Sequence, residues 1–271
     1  MDKRLFPLWL AGLLILPAVF ESCDNVFGGD DTYNAYLCDS CVTLYTSRAY
    51  AGTARTTSRY GYDRQGNRKS LTFLRQDSLG RVTERYVESY VLSFDGDGRL
   101  AGYQVTRTAG DSSFASERGE YTYRSTGQTE RADVYRYQDG QPVLTTSTTY
   151  LYDSADVNVS TVVASPAEGS VKTYHYRYNQ NGYLVADSCY LAVDGGAPYL
   201  CSRSTYSYAS FMSQQLTKEY DANDSLLVTH LYEDCFQSYN LRYRNTYTVV
   251  GDSALLDSGE YAFYSIHQLE E

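Results

Sequence analysis

The sequence predicts an all-β fold, a repetitive antiparallel meander of Tyr-rich hairpins forming an extended, twisted or curled sheet. Three observations carry this expectation. Tyrosines recur at alternate positions, as in Tyr174-His175-Tyr176-Arg177-Tyr178. A period of two places such residues on one face of a strand. Turn sequences of the form Asp/Asn-x-x-Gly follow many of these runs, as in Asn179-Gln180-Asn181-Gly182, and they supply residues that reverse the chain at positive φ. The composition holds 30 Tyr in 271 residues, and Tyr, Thr and Val favour strands. No long stretch has helical periodicity; residues 210–220 are expected to form one short helical turn at most.

The N-terminus sets the expected compartment. Asp2, Lys3 and Arg4 precede an apolar run from Leu5 to Phe20, interrupted by Pro7 and Pro17. That run is short of the roughly 20 apolar residues of a bilayer span, so residues 1–22 read as a secretory signal. Phe20-Glu21-Ser22-Cys23 resembles a bacterial lipobox, with Phe20 and Glu21 where Leu and a small residue are usual. The resemblance implies lipidation of Cys23. Asp24, Asp30 and Asp31, with Gly28 and Gly29 between them, resemble the export signal of outer-membrane lipoproteins displayed on the cell surface. Acyl chains hold a protein by burying methylenes at about 0.8 kcal/mol each. The expected organisation is a signal peptide over 1–22, an acidic tether over 23–40, and a single β-repeat domain over 41–271. The expected partner is the membrane, through the N-terminal lipid.

Charge and composition exclude some functions. Formal net charge is −10, and no segment concentrates Lys and Arg, so a nucleic-acid partner is not expected. The single Trp, Trp9, lies in the signal. Tyr must therefore supply much of the buried surface, with a hydroxyl that needs water or a partner. Packing, rather than display, is expected for Tyr121, Tyr123, Tyr150, Tyr152, Tyr176 and Tyr178. Their hydroxyls should reach polar groups of the sheet margin or turns, because a buried unpaired hydroxyl costs about 1–3 kcal/mol.

The chain repeats itself. Tyr62, Phe94, Tyr123, Tyr152, Tyr178 and Tyr208 follow one another at steps of about thirty residues, long enough for two to four short strands each. The turns Asp63–Gly66, Asp77–Gly80, Asp95–Gly98 and Asn179–Gly182 share one form, and Arg124–Gly127 and Asp221–Asp224 are degenerate copies. Tyr60-Gly61-Tyr62-Asp63-Arg64-Gln65-Gly66-Asn67 and Ser93-Phe94-Asp95-Gly96-Asp97-Gly98-Arg99-Leu100 resemble the YD repeats of the RHS family. The resemblance spans roughly residues 55–250 and implies successive antiparallel hairpins in a long twisted sheet. The family's large encapsulating shell needs more units than this chain has.

Reaction chemistry is sparse. The three His, at 175, 230 and 267, lack a metal-ligand spacing, and no nucleophile elbow, P-loop or dinucleotide fingerprint occurs. No cofactor and no metal site are expected. Asp95-Gly96-Asp97-Gly98 reads as a turn; a calcium loop of EF-hand type would need a Glu at its twelfth position, where Thr106 stands. Cys38 and Cys41 lack the strand-to-helix setting of a redox Cys-x-x-Cys, which leaves a local disulfide or one bond to Cys235. A Cys189–Cys201 disulfide is expected across a hairpin centred on Gly195, with Leu191 opposite Tyr199 and Asp187 opposite Arg203. An oxidising envelope favours it.

Three functions remain as expectations. The first is a surface-exposed outer-membrane lipoprotein acting as a binding or adhesion module for a glycan or a protein. The second is a structural scaffold of a cell-envelope assembly. The third and weakest is a hydrolase, since no convergent acid, base or nucleophile is visible; the chain is not expected to be an enzyme.

Overall fold

The computed structural model describes residues 32–45, 52–209, 211–237 and 240–270. The expected signal, Cys23 and the first half of the tether, residues 23–31, lie outside the described residues. Sixteen strands follow in order: β1 Thr32–Tyr45, β2 Arg55–Tyr62, β3 Arg68–Gln76, β4 Val82–Phe94, β5 Leu100–Ala109, β6 Ser112–Tyr123, β7 Thr129–Gln138 and β8 Gln141–Tyr152. They continue with β9 Asn158–Ser165, β10 Ser170–Tyr178, β11 Leu184–Val193, β12 Tyr199–Ala209, β13 Met212–Tyr220, β14 Leu226–Gln237, β15 Asn240–Val250 and β16 Ser253–Glu270. One 3-10 turn, Pro166–Glu168, joins β9 to β10.

Every strand pairs antiparallel with its sequence neighbours, and β1 pairs with β16, so the sheet closes into a barrel. The antiparallel meander is as expected; an extended open sheet is not. Closure follows from strand number and twist. A twisted meander of this many strands presents two unpaired edges unless it returns on itself, and pairing the first strand with the last removes both. Two boundaries also move. β1 begins at Thr32, inside the stretch expected to be tether, so the folded domain starts before residue 41. Residues 212–220 are strand β13 rather than a helical turn, because their neighbours on β12 and β14 complete its ladder.

Turn chemistry explains the repeat. In the turn after β2, the Asp63 Oδ1 accepts the N–H of Gln65 at 3.0 Å and of Asn67 at 2.8 Å. Gly66 N–H donates to the Asp63 carbonyl, and Gly66 stands at φ 81°. The same side-chain pattern recurs at Asp77, Asp95, Asp153, Asn179 and Asp221. Arg124 keeps the backbone bonds without a capping side chain. Asp156 and Asp224 adopt the left-handed conformation, at φ 57° and 64°, where other copies use Gly. The Asp95 oxygens are thus taken by the N–H groups of Asp97 and Arg99 and by the Arg99 guanidinium, which is the turn role expected for them.

The aromatic residue before the turn has its own task. Tyr123 donates its hydroxyl to the Leu100 carbonyl at 2.7 Å, Tyr152 to Thr129 at 2.7 Å, Tyr178 to Asn158 at 2.9 Å, and Tyr208 to Leu184 at 2.8 Å. Each acceptor is the first residue of the preceding strand. Tyr62 likewise donates its hydroxyl to a carbonyl of the preceding strand, that of Cys38 inside β1, at 2.8 Å. These tyrosines clasp consecutive strands at one rim of the barrel. β1 starts at the same rim, so the N-terminal segment joins the barrel there; the opposite rim is the far mouth.

Burial distinguishes the two faces of the wall. Along β4, Thr83, Arg85, Val87, Ser89, Val91 and Ser93 are exposed, while Glu84, Tyr86, Glu88, Tyr90 and Leu92 alternate with them as buried or half-buried. In a closed barrel the covered face is the concave one. The small core lies on it: Leu71, Tyr90, Tyr103 and Val105, with Tyr60, Leu92 and Tyr121 packed against them.

Candidate functional site: the barrel interior

The inner face is built in layers. In the ascending strands β6, β8 and β10 the clasp tyrosine is followed, two residues deeper, by Tyr121, Tyr150 and Tyr176. Tyr206 takes that place in β12. All four are half-buried. Six residues below the clasp position stand Glu88, Glu117 and Lys172. In the descending strands the corresponding depths carry Leu71, Tyr103 and Ala132, then Phe73, Val105 and Val134, then Arg75, Arg107 and Arg136. The interior thus passes from an aromatic rim to a charged layer toward the far mouth.

The charged layer is a ladder across β3 to β7. Arg75 pairs with Glu84 at 2.9 Å, Arg107 with Glu88 at 2.6 Å, and Arg136 lies 3.8 Å from Glu117. Between the first two pairs, Phe73 and Tyr86 stack with centroids 4.8 Å apart and planes 19° apart. Arg107 covers the Tyr86 ring at 4.1 Å, and Arg75 lies 5.7 Å from that of Phe73. A guanidinium over an aromatic face is worth about 0.5–2 kcal/mol, more as water is excluded. Both arginines are therefore held by a carboxylate and a ring at once, and their net charge is neutralised by Glu84 and Glu88.

Tyrosine hydroxyls pair with carboxylates on the same face. Tyr90 donates to Glu88 at 2.9 Å, Tyr103 to Glu117 at 2.8 Å, and Tyr206 to Asp187. Burial and the adjacent carboxylate push all three phenols far up, so they stay protonated donors. Burial likewise raises the Asp187 carboxyl, which is 4% exposed. Nearby, Ser204 and Thr217 share a hydrogen bond at 3.1 Å, and Gln215 donates to Thr217 at 3.0 Å. Such a polar inner face suits a hydroxyl-rich ligand.

The outer face is different in kind. Arg85, Arg177, Arg203 and Lys218 project from it exposed, and it carries the Arg118–Glu120 and Arg131–Asp133 pairs at 3.1 and 2.9 Å. At the seam an apolar stripe appears, where Leu44, Tyr261 and Phe263 are 41%, 39% and 52% exposed on β1 and β16.

The sequence-predicted sites are placed as follows. Cys23 lies outside the described residues. Cys189 and Cys201 come together but are free thiols. Leu191 does face Tyr199, yet a bulge then shifts the register, so Cys189 faces Ser202 and Asp187 faces Ser204 instead of Arg203. Cys201 sits at the bulge, its thiol donating to the Cys189 carbonyl at 3.3 Å. Cys38 and Cys41 are also free; a bulge between Cys38 and Ser40 turns both inward. Cys235 faces Tyr243 on the outer side, three ladders away from β1, so the bond to Cys235 left open by the sequence is ruled out. His175 is exposed on the outer face. His267 contacts Asp39 at 2.7 Å and Ser265 at 3.0 Å, both through Nε2. A Ser–His–Asp relay needs the two partners on opposite ring nitrogens, so this trio is a seam contact. Among the described residues, no group of three or more His, Cys, Asp or Glu side chains is placed to hold a metal ion.

Sequence reasoning missed the charged ladder. The signal was present: Arg75, Arg107 and Arg136 recur at the same repeat step as the tyrosines.

No family model matches the chain, and no curated protein matches it. Among solved structures, the fold is similar to that of a porin-like protein from Bacteroides uniformis, with a TM-score of 0.34 and 13% sequence identity, covering 85% of this chain and 96% of that chain.

Proposed function

We propose that the chain is a lipid-anchored outer-membrane lipoprotein whose barrel stands outside the bilayer and binds a neutral oligosaccharide in its tyrosine-lined interior. The observation that carries this reading is the inversion of polarity across the wall. A bilayer-spanning barrel needs an apolar outer band, and Arg or Lys facing lipid near the midplane costs about 2–4 kcal/mol each. Here the outer face carries Arg85, Arg177, Arg203 and Lys218, while Tyr86, Tyr90, Tyr103, Tyr121, Tyr150 and Tyr176 face inward. The lipobox-like Cys23 then supplies the membrane attachment, and the YD-like hairpins form a self-closing wall rather than a shell.

Neutral sugars fit the interior for two reasons. The inner rings keep partial contact with solvent, which leaves faces for stacking. The arginines of the charged ladder are already matched by Glu84 and Glu88, so the site offers directed hydrogen bonds without a large net field. The chemistry is that of binding rather than turnover.

A glycan array probed with the purified barrel tests this. Binding of neutral oligosaccharides is expected, weakened at least tenfold in Tyr150→Ala with the urea midpoint followed alongside. No binding to any glycan, or equal binding by a variant that stays folded, would overturn it. A scaffold role rests on the exposed seam of Leu44, Tyr261 and Phe263; recovery of one fixed envelope partner, lost on Phe263→Ser, would favour that reading instead.

A further inference from the structure

We infer that Cys201 and Cys189 form a thiol–disulfide exchange pair at the far mouth of the barrel, with Cys201 as the attacking thiol and a small disulfide as its oxidant. This goes beyond ligand binding and rests on a separate part of the wall.

Geometry comes first. Cys201 is the third residue of β12, counted from the far mouth, and is half-buried. Cys189 on β11 is 1% exposed. Regular pairing would place consecutive residues of β12 on opposite faces, but the bulge between the pairs Cys189–Ser202 and Tyr190–Leu200 adds Cys201 to the strand opposite Cys189. Bulges re-aim side chains in this way. The Cys201 thiol then reaches the Cys189 carbonyl at 3.3 Å, and the two sulfurs interact directly. One thiol is reachable and the other is sheltered behind it.

The surroundings sort the two sulfurs into different roles. A hydrogen bond from the Cys189 thiol, joined by the Lys172 ammonium, holds Cys201 below its ordinary value, against the opposing effect of burial. The same hydrogen bond, together with burial, pushes Cys189 far up. Tyr174 on β10 bonds to the Cys189 sulfur, and Lys172 is exposed beside it on the inner face. From β13, Glu219 stands opposite Ser202, with His230 of β14 at 4.0 Å from Glu219. A thiol with its pKa near ambient pH is the best attacking group in exchange.

The step balances. The Cys201 thiolate attacks one sulfur of the small disulfide, forming a mixed disulfide and expelling one thiolate. Cys189 then loses its proton to water and attacks the Cys201 sulfur, forming the Cys189–Cys201 bond and expelling the second thiolate. Two protein thiols are oxidised, and one disulfide is reduced to two thiols.

Oxidised glutathione added to the reduced full-length protein at neutral pH tests the pair. Acid quenching and mass spectrometry of unreduced peptides should show a Cys189–Cys201 link and release of two glutathione thiols per chain. Cys189→Ser should stop at a Cys201–glutathione adduct. Alkylation of Cys201 should follow a pH profile with its midpoint below that of an ordinary cysteine. At neutral pH it should run faster than an ordinary cysteine, by less than the gain in thiolate, because a more acidic thiol is less nucleophilic. Lys172→Gln should move that midpoint upward, a shift that a purely structural cysteine pair would not produce. Both thiols left free after oxidant, or a Cys201 profile unaltered by Lys172→Gln, would overturn the assignment.

Discussion

The Tyr152 hydroxyl donates to the Thr129 carbonyl at 2.7 Å, joining the last residue of β8 to the first residue of β7. The same relationship repeats around the rim, and Phe94 interrupts it. Phe94 occupies the clasp position of β4 but has no hydroxyl, and the first residue of the preceding strand is Arg68. Tyr152→Phe should cost about 0.5–1.5 kcal/mol, the net worth of one hydrogen bond. Phe94→Tyr should gain a similar amount by donating to the Arg68 carbonyl. Equilibrium urea unfolding, followed by tyrosine fluorescence, measures both; opposite signs at the two positions are expected.

Gly119 is glycine because a ring occupies the space a side chain would need. A Cβ there would lie 2.0 Å from Cε1 of Tyr103. A ring laid over a strand glycine is a known device for covering exposed backbone. Gly119→Ala should therefore displace Tyr103 from Glu117 and destabilise the barrel by about 1–3 kcal/mol, the usual cost of overpacking. Tyr103→Val in the same chain should recover part of the loss, so a double-mutant cycle should be strongly non-additive.

Acid should weaken the turns in a predictable direction. The Arg81 guanidinium, with backbone N–H groups, holds the Asp77 carboxyl below the ordinary range; at Asp221 the Ser225 N–H leads. A depressed folded-state value contributes stability above the unfolded value, and that contribution is lost as pH falls through the folded one. The urea midpoint should therefore decline below about pH 4. Asp77→Asn should flatten that decline, because an amide keeps the Oδ1 bonds, as Asn179 does, and cannot titrate. Asp187 has the opposite sign. Burial raises it, so its contribution is lost as pH rises, and Asp187→Asn should be least harmful on the alkaline side.

Much of this architecture was legible in the sequence. Alternating tyrosines marked the inner face, and Asp/Asn-x-x-Gly marked the turns, because both depend on local backbone geometry. The clasping hydroxyls followed from the cost of burying an unpaired phenol. Closure was not legible, since the β1–β16 ladder joins Tyr36 to Ile266 across nearly the whole chain, and no local signal encodes it. The bulge at Cys201 escaped for a related reason. The turn fixed the register as far as Tyr190 and Leu200, but a single inserted residue then moved every later pair by one. The Arg75–Glu84 and Arg107–Glu88 pairs needed the register and the repeat together.

The outer face should accept charge. Val91 is 71% exposed on β4. In water Val91→Lys should change stability by no more than about 0.5 kcal/mol, whereas at a lipid-facing midplane position it would cost about 2–4 kcal/mol. Urea unfolding of the variant distinguishes the two environments.

The attachment of the barrel can be tested most directly by exchanging residues 1–23 for a leader that is cut without lipidation and then fractionating the cells. A barrel held only through Cys23 should appear folded in the soluble envelope fraction without detergent. It should keep its β-sheet circular dichroism and a single urea transition. Recovery of the exchanged protein in the outer membrane, released only by detergent, would contradict the account, because the polar wall would then have to lie in lipid.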